Sequence, residues 1–220
     1  MKRIIGSVVM LLSVAVMLVS CASNSPTDAN EQYKLALKYY NGDDGVKYDI
    51  QKAEQWATKA AEQGCVSAQV FLGILYHEKG EDGKAVYWYT KAAEQGNDTA
   101  QYNLGSSYER GDGVAQSYEK ASYWYKKAAE QGNAKAQYNL ALFYVWGWGC
   151  AKDYQTAVYW LEKAAQKGLA DAQYELGVCY CNGDGVARSV ETGIYWYKKA
   201  AAQGDSDAKN ALRKRGIYAY

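Results

Sequence analysis

The six residues Lys127-Ala128-Ala129-Glu130-Gln131-Gly132 recur along the chain at a nearly constant spacing. The same six residues end at Gly64 and at Gly96, and close variants end at Gly168 and Gly204. Successive final glycines are 32, 36, 36 and 36 residues apart. A period of this size is typical of solenoids, in which each repeat buries its apolar face only against its neighbours. The sequence therefore predicts a stacked repeat domain that serves as a binding scaffold.

Each repeat contains two apolar stripes with helical spacing. In the third repeat, Ala100, Leu104 and Tyr108 share one helical face. A second stripe follows the i, i+3, i+4, i+7, i+8 pattern of an amphipathic helix, at positions 121, 124, 125, 128 and 129. Gly111 and Gly113 interrupt the chain between the two stripes. Each repeat is therefore predicted to be a helical hairpin. The signature alanines are expected to pack in it, the final glycine to cap the second helix, and the polar signature residues to form a solvated edge.

The repeats differ in a few places. Repeat two lacks four residues between Gly80 and Ala85, which predicts a shorter inter-helix loop with both helices intact. The segment from Ala208 onward begins like a sixth first helix and then becomes basic. Terminal repeats need a polar outer face, so this segment is predicted to cap the domain.

The consensus A-x-Y-x-L-G-x-x-Y-x-x-G-x-G-V…A-x-x-W-Y-x-K-A-A-E-Q-G resembles the Sel-one-like repeat family, a relative of the tetratricopeptide repeats. The departures are Ala36 and Ala141 in place of the glycine after leucine, and Gly193 in place of a second-helix alanine. The resemblance implies an all-α fold over residues 31–220, a right-handed α-solenoid of five helical hairpins plus a C-terminal capping helix. It further implies that the first helices line a concave face, and that the protein has an adaptor or regulatory role in protein complexes.

The N-terminus has the pattern of an export signal. Lys2 and Arg3 precede a short apolar run at positions 4–19, which predicts a signal peptide over residues 1–20. The run ends in Leu-Val-Ser-Cys21, which resembles the bacterial lipobox and implies that Cys21 is acylated and becomes the mature N-terminus. The alternative is an ordinary signal peptide with a chance cysteine. Residues 21–30 are predicted to be the acylated cysteine and a flexible tether.

The lipobox resemblance also predicts a location. Several acyl chains give stable membrane attachment, so the membrane partner is expected to be reached through the lipid anchor alone. Ala22 is not the aspartate that retains enterobacterial lipoproteins at the inner membrane, which favours the outer membrane, facing the periplasm. The segment from Cys21 onward carries 23 basic and 24 acidic residues, a balance that gives no long-range attraction to nucleic acid.

Candidate catalytic residues are scarce, and no catalytic residue, cofactor or metal is predicted. His77 is the only histidine, so no relay through histidine can be chosen from several candidates. Ser117 and Lys120 match the Ser-x-x-Lys of penicillin-recognising enzymes, but no Lys-Thr-Gly follows. We expect Ser117 to be the N-cap of a second helix and the protein not to be an enzyme. A β-lactam-binding or β-lactamase activity at Ser117 is the alternative.

Four cysteines remain after Cys21, and an exported protein lies where disulfides persist. Cys150 and Cys181 lie in loop-proximal positions of neighbouring repeats, so a Cys150–Cys181 disulfide is predicted. Cys179 is the rival partner, and free thiols are the other alternative.

Candidate partner-binding residues lie two, three and six positions after the alanine that opens each first helix, opposite the core face. They mix tyrosine with polar and aliphatic groups, a composition suited to a protein or peptide partner. The other interpretation is that the repeated tyrosines are framework. The candidates are Tyr102, Asn103, Ser106, Tyr138, Asn139, Leu142, Tyr174 and Glu175.

Trp146 and Trp148 are the sharpest departure from the repeat consensus, because sister repeats carry Arg110 and Asp112 at these loop positions. They are candidate anchors for a protein partner. Alternatively, they fold back over Cys150 and the adjacent repeat. The sequence thus favours a lipid-anchored periplasmic scaffold that mediates protein–protein interaction. An immunity protein that neutralises a secreted antibacterial effector is a narrower hypothesis, and an envelope-assembly factor that acts on peptidoglycan enzymes is a third.

Overall fold

A computed structural model describes residues 26–43 and 45–218 of the chain. Within these ranges all regular secondary structure is helical, in eleven helices. The chain divides after Ala100 into two compact units. The first unit contains α1 (Pro26–Asn41), α2 (Ile50–Glu62), α3 (Val66–Glu78) and α4 (Asp82–Glu94). The helix α5 (Asp98–Arg110) begins at the end of the first unit, and the second unit contains α6 (Tyr118–Glu130), α7 (Ala134–Trp146), α8 (Tyr154–Gln166), α9 (Ala170–Asn182), α10 (Val190–Ala202) and α11 (Ser206–Arg213).

Consecutive helices pair as hairpins, as the repeat pattern predicts. The first helix of each repeat (α1, α3, α5, α7 or α9) is followed by its hairpin partner (α2, α4, α6, α8 or α10). The short α11 packs on α10 through the buried Ala208 and Leu212. The predicted all-α class of five hairpins plus a capping helix is confirmed. None of the helices in the described ranges has both the length and the apolar character needed to cross a bilayer.

The first helix begins earlier than the sequence predicts. Residues 26–30 are helical, so the part of the predicted tether after position 25 is wrong. Proline has no backbone N–H to lose at the first helical position and its fixed φ suits a helix, so Pro26 starts α1 rather than breaking it. Ala29 is already fully buried. Residues 1–25, which include the predicted signal and Cys21, lie outside the described residues.

The glycine after leucine in the first helices is explained by the hairpin partner. A Cβ at Gly105 would lie 2.8 Å from Cδ1 of Tyr125, and a Cβ at Gly73 would lie 2.4 Å from Cδ1 of Tyr89. The two repeats that have alanine here have a smaller residue at the position of that tyrosine, Ala57 in repeat one and Leu161 in repeat four. The departures at Ala36 and Ala141 are therefore matched by smaller residues on the facing helix.

Gly193 is explained in the same way. It faces Cys181, whose Sγ would lie 2.3 Å from a Cβ at position 193. The buried cysteine of α9 thus occupies the space that a second-helix alanine fills in the other repeats.

The glutamine of the signature is exposed, as predicted for a solvated edge, but it also makes a hydrogen bond within its repeat. In repeat five the side-chain Nε2 of Gln203 donates to Oε1 of Gln173 at 2.8 Å. Gln173 is 4% exposed and donates its own Nε2 to the carbonyl oxygen of Ala165 at the end of the preceding repeat, at 3.1 Å. Equivalent glutamine pairs are Gln63 with Gln32, Gln95 with Gln69 and Gln131 with Gln101. We call this arrangement the glutamine clamp; it gives a structural role to a signature residue that is also exposed to solvent.

Candidate functional site

The loop after α7 is held in one conformation by two glycines that flank Trp148. Gly147 ends α7 in the left-handed region at φ 73°, where its backbone N–H donates to the carbonyl oxygen of Phe143. A Cβ at Gly149 would lie 2.2 Å from the carbonyl oxygen of Tyr118, so only glycine lets the loop approach the start of α6 this closely. The loop of repeat four is therefore pinned to repeat three.

The pinned loop builds a stack of three aromatic side chains. The rings of Tyr118 and Trp148 are stacked with centroids 5.4 Å apart, and those of Trp148 and Trp146 are stacked at 6.3 Å. Phe143 meets the ring of Trp148 edge-on at 5.7 Å from inside the core. Trp148 is 39% exposed and Trp146 is 60% exposed. We call Tyr118, Trp148 and Trp146 the aromatic stack.

The two tryptophans of this loop have different surroundings. Trp148 folds back against the adjacent repeat, through Tyr118. Trp146 presents most of its side chain to solvent and stacks on Trp148. Tyr118 is a member of the stack that the sequence did not single out, because tyrosine also occupies its place in repeat four, at Tyr154.

The predicted first-helix candidates in the second unit are all partly buried, and none of them is fully exposed. On α7, Tyr138, Leu142 and Trp146 are spaced four residues apart, so they lie along one side of the helix. These three residues form a row that ends at the aromatic stack, and we call this row the strip. In the first unit the equivalent Tyr33 and Phe71 are 2% and 6% exposed and pack edge to face, so these positions are core there.

Asn139 links the candidate tyrosine of α5 to the hairpin behind it. Its side chain hydrogen-bonds the hydroxyl groups of both Tyr102 and Tyr125. The rings of Tyr102 and Tyr125 lie 5.7 Å apart, and the rings of Tyr174 and Tyr197 pair in the same way at 5.6 Å. The hydroxyl of Tyr125 donates to Glu109. Tyr102 and Tyr174 therefore pack as part of the framework, which was the alternative to partner binding.

The end of the strip at Tyr138 lies next to acidic groups of the following repeat and of the segment after it. Burial raises the pKa of Glu175 above its usual range, and the carboxylates of Asp171, Asp205 and Asp207 raise it further. Burial and the nearby Glu175 likewise raise the pKa of Tyr138 to about 12. A cationic group that approached this end of the strip would relieve the mutual repulsion of these carboxylates.

Comparison with known proteins identifies the repeats. The family model described as the Sel1 repeat matches five times, over residues 32–65, 66–97, 98–133, 134–169 and 170–205. The chain belongs to the Sel1 repeat family. It is similar to a solved Sel1 repeat protein from Oxalobacter formigenes, at 37% identity and a TM-score of 0.75, over 84% of this chain and 74% of that one.

A second solved relative is a protective antigen present in uropathogenic Escherichia coli strains that displays an SLR fold. It is 35% identical with a TM-score of 0.81, and the match covers 86% of this Sel1 repeat protein but only 42% of the antigen, which is more than twice as long as the matched part. An immunity protein from Pseudomonas aeruginosa shares the fold at 22% identity and a TM-score of 0.50, over 88% of this chain and 71% of that one. No curated protein matches the chain.

The Ser117 hydroxyl acts as a helix cap in this Sel1 repeat protein. Its Oγ accepts from the backbone N–H of Lys120 at 3.2 Å and lies 3.0 Å from a carboxylate oxygen of Glu119. The Lys120 ammonium group lies over the ring of Tyr108, 5.2 Å from its centroid. The cap that the sequence predicts is confirmed.

His77 is exposed and forms a hydrogen-bonded pair with Asp82, with Nδ1 2.7 Å from Oδ1. Across residues 26–43 and 45–218, no three His, Cys, Asp or Glu side chains come together as a potential metal site.

The predicted Cys150–Cys181 disulfide is not formed in the structure, because both residues carry free thiols, as does Cys179. The two thiols face different layers. Cys150 lies against Ser122 of the preceding repeat, whereas Cys181 is enclosed by its own hairpin partner α10, against Gly193 and Tyr197. Burial raises the pKa of Cys150 above its usual range and raises that of Cys179 to about 12.

A further exposed aromatic row was not predicted. On the second helices of the second unit, Tyr123, Tyr159 and Tyr195 are each about half exposed and precede a tryptophan. The ammonium group of a lysine one turn later lies over each tyrosine ring, at 5.7, 4.9 and 5.0 Å from the ring centroid. The repeated Tyr-Trp pair four residues before lysine was the signal available in the sequence.

Proposed function

We propose that this Sel1 repeat protein is a lipid-anchored scaffold of a bacterial cell envelope and binds a protein partner through the strip on α7 and the aromatic stack. The anchor would be the acylated Cys21, and the location the outer membrane, facing the periplasm. The helical repeats then act as a rigid frame that presents a binding surface. Sel1 and tetratricopeptide-like repeats generally bind proteins, which supports this choice.

The observation that carries the proposal is the exposure of Trp146. A tryptophan that is 60% exposed, stacked on a second aromatic ring and fixed by a glycine-pinned loop, gives up little conformational freedom on binding. Tryptophan is also enriched among the residues that contribute most to binding energy in protein interfaces. The acidic end of the strip, around Glu175, favours a partner that carries a basic residue at that end.

Two single substitutions test the surface. Trp146→Ala is expected to leave the unfolding midpoint nearly unchanged and to weaken partner capture from envelope extracts by at least about tenfold, because it removes an anchor without opening the core. Trp148→Ala is expected to lower stability as well, since it removes the ring packed between Tyr118 and Phe143.

The matched control is Tyr195→Ala, which removes another half-exposed aromatic ring from a second helix. Proteins captured by the wild type and by the Tyr195→Ala protein, but lost with Trp146→Ala, would be partners of the strip. Equal capture by all three proteins would refute the assignment of binding to the aromatic stack.

The lipid anchor is tested separately. Radiolabelled palmitate should be incorporated into the wild-type protein and not into the Cys21→Ser protein, and the substituted protein should leave the membrane fraction. Unchanged membrane association of the Cys21→Ser protein would rule the anchor out. The immunity-protein and envelope-assembly hypotheses are compatible with this surface and stay predictions.

A further inference from the structure

Repeat four breaks the glutamine clamp. At the position of Gln131 and Gln203 it has Lys167, whose Nζ donates instead to the carbonyl oxygen of Gly132. The buried Gln137 still donates its Nε2 to the carbonyl oxygen of Ala129 at 3.0 Å. Its Oε1, which would accept from the missing glutamine, has no hydrogen-bond partner although Gln137 is only 3% exposed. A buried acceptor left unpaired destabilises a folded protein, so this atom needs an explanation.

Gln137, the residue that carries this buried acceptor, is one of the residues around a cleft of about 450 Å³. The cleft lies between the end of α6, the turn at Gly132 and the last two turns of α8, at the other end of the repeat-four hairpin from the aromatic stack. Its volume falls within the range of small-ligand sites, which is about 300–1,000 Å³. Tyr159 and Trp160 supply aromatic surface, and Lys163 and Lys167 supply two ammonium groups.

These groups define what the cleft can bind. The Oε1 of Gln137 can only accept, so the ligand must bring an N–H or O–H donor. A cationic amine is disfavoured because Lys163 and Lys167 line the same cleft and Glu130 supplies only one carboxylate against these two ammonium groups. A neutral carboxamide meets both requirements, because its N–H₂ can donate to Gln137 and its oxygen can accept from a lysine ammonium group.

The other repeats already use this chemistry. In each of them the oxygen of the first-helix glutamine, which is buried in repeats two, three and five, accepts from the carboxamide of a glutamine in the same repeat, at 2.7–2.8 Å. We propose that the cleft of repeat four binds the side-chain carboxamide of a glutamine or asparagine in a partner protein segment, which completes the clamp from outside the chain. The methylene groups of that side chain would pack on Tyr159 and Trp160, and the exposed Lys167 side chain would move aside to admit it.

This site is separate from the aromatic stack and does not depend on it. Loss of binding at Trp146 and loss of binding at the cleft can therefore be observed independently, in the Trp146→Ala and Lys167→Gln proteins.

The test is a nuclear magnetic resonance titration of the purified ¹⁵N-labelled protein with N-acetyl-L-glutamine N-methylamide. Saturable shifts are expected at the side-chain amide of Gln137 and the backbone amide of Gly132. The compound in which norleucine replaces glutamine has a similar length and no carboxamide, and it should give no saturable shift at Gln137.

Lys167→Gln supplies the chain's own carboxamide and should weaken binding of the glutamine compound by at least about tenfold, while raising the unfolding midpoint. Because this substitution is expected to stabilise the protein, weakened binding cannot be attributed to misfolding. Lys167→Ala opens the cleft without filling it and should bind the compound at least as tightly as the wild type does. The proposal is overturned if neither the wild type nor the Lys167→Ala protein shows saturable shifts, if the norleucine compound binds equally, or if Lys167→Gln binds like the wild type.

Discussion

The match between Gly73 in α3 and Tyr89 in α4 makes a quantitative prediction about the Gly73→Ala substitution. The new Cβ would lie 2.4 Å from both Cδ1 and Cε1 of the Tyr89 ring. Carbon atoms in ordinary contact are about 3.5–4.0 Å apart, so the overlap exceeds about 1 Å. Tyr89 is 4% exposed and cannot swing into solvent without leaving the core. The overlap must therefore be relieved by a shift of the two helices.

The expected magnitude follows from two opposing contributions. Overpacking a core costs about 1–3 kcal/mol. The upper end of this range is expected here, because the new Cβ would overlap two atoms of a buried ring. Replacing glycine by alanine in a helix returns about 1 kcal/mol. Gly73→Ala should therefore lower the free energy of unfolding by about 2 kcal/mol.

A second substitution should remove the penalty. Tyr89→Leu alone should cost about 2 kcal/mol, because it leaves a cavity where the ring packs. In the Gly73→Ala/Tyr89→Leu protein the added methyl group enters that cavity, and the pair reproduces what Ala141 and Leu161 already have in repeat four. The double substitution should cost no more than Tyr89→Leu alone, which corresponds to a coupling energy of about 2 kcal/mol.

The assay is urea unfolding followed by far-ultraviolet circular dichroism on all four proteins of the cycle. The reverse substitution Ala141→Gly is the control. It relieves no overlap and should cost about 1 kcal/mol through the lower helix propensity of glycine. The explanation is refuted if Gly73→Ala is neutral, or if the two single costs add in the double variant to within about 0.5 kcal/mol.

Two more predictions concern the clamp and the acidic end of the strip. Gln203→Ala leaves the Oε1 of the buried Gln173 without its hydrogen-bond donor. It should lower the free energy of unfolding, measured in urea, by about 1–2 kcal/mol. As a control, substitution of an exposed glutamine, Gln155→Ala, should change this free energy by less than about 0.5 kcal/mol. The pKa of Glu175 is raised in the folded protein, so its ionised form destabilises the fold at neutral pH, and this cost disappears as the pH falls through the folded pKa. Glu175→Gln should therefore unfold at a higher temperature than the wild type at pH 7, and the difference should shrink as the pH approaches about 4.3, the ordinary pKa of glutamate. A difference that stays constant over this pH range would contradict the assignment.

The sequence predicted the hairpins well because their determinants are local. The spacing of Ala100, Leu104 and Tyr108, the serine before α6 and the glycine after it each act within one helix or its ends. The start of α1 is not evident from the sequence, because proline is common in tethers and is also favoured at the first helical position. The prediction of a Cys150–Cys181 disulfide was wrong because residues in neighbouring repeats can still face different layers, as these two do.

The candidate site was predicted only in part. The unusual Trp146 and Trp148 were visible as departures from the repeat, but the sequence could not assign one to packing and the other to solvent. That assignment depends on the approach of Gly149 to the backbone of Tyr118 in the preceding repeat. The clamp was not predicted, because the partner of Gln131 is a glutamine 30 residues earlier that looks like any surface residue in the sequence.

By itself the sequence determined the family, the number of repeats and the helix-by-helix design, because a fixed period and a helical apolar pattern are properties of the chain alone. Only the tertiary structure decided which repeated polar residues are structural, which tryptophan is available to a partner and where the clamp is incomplete. These depend on distances between residues in different helices. The unpaired oxygen of Gln137 shows the difference most clearly, since Lys167 is an ordinary surface lysine until the buried acceptor that it fails to reach is seen.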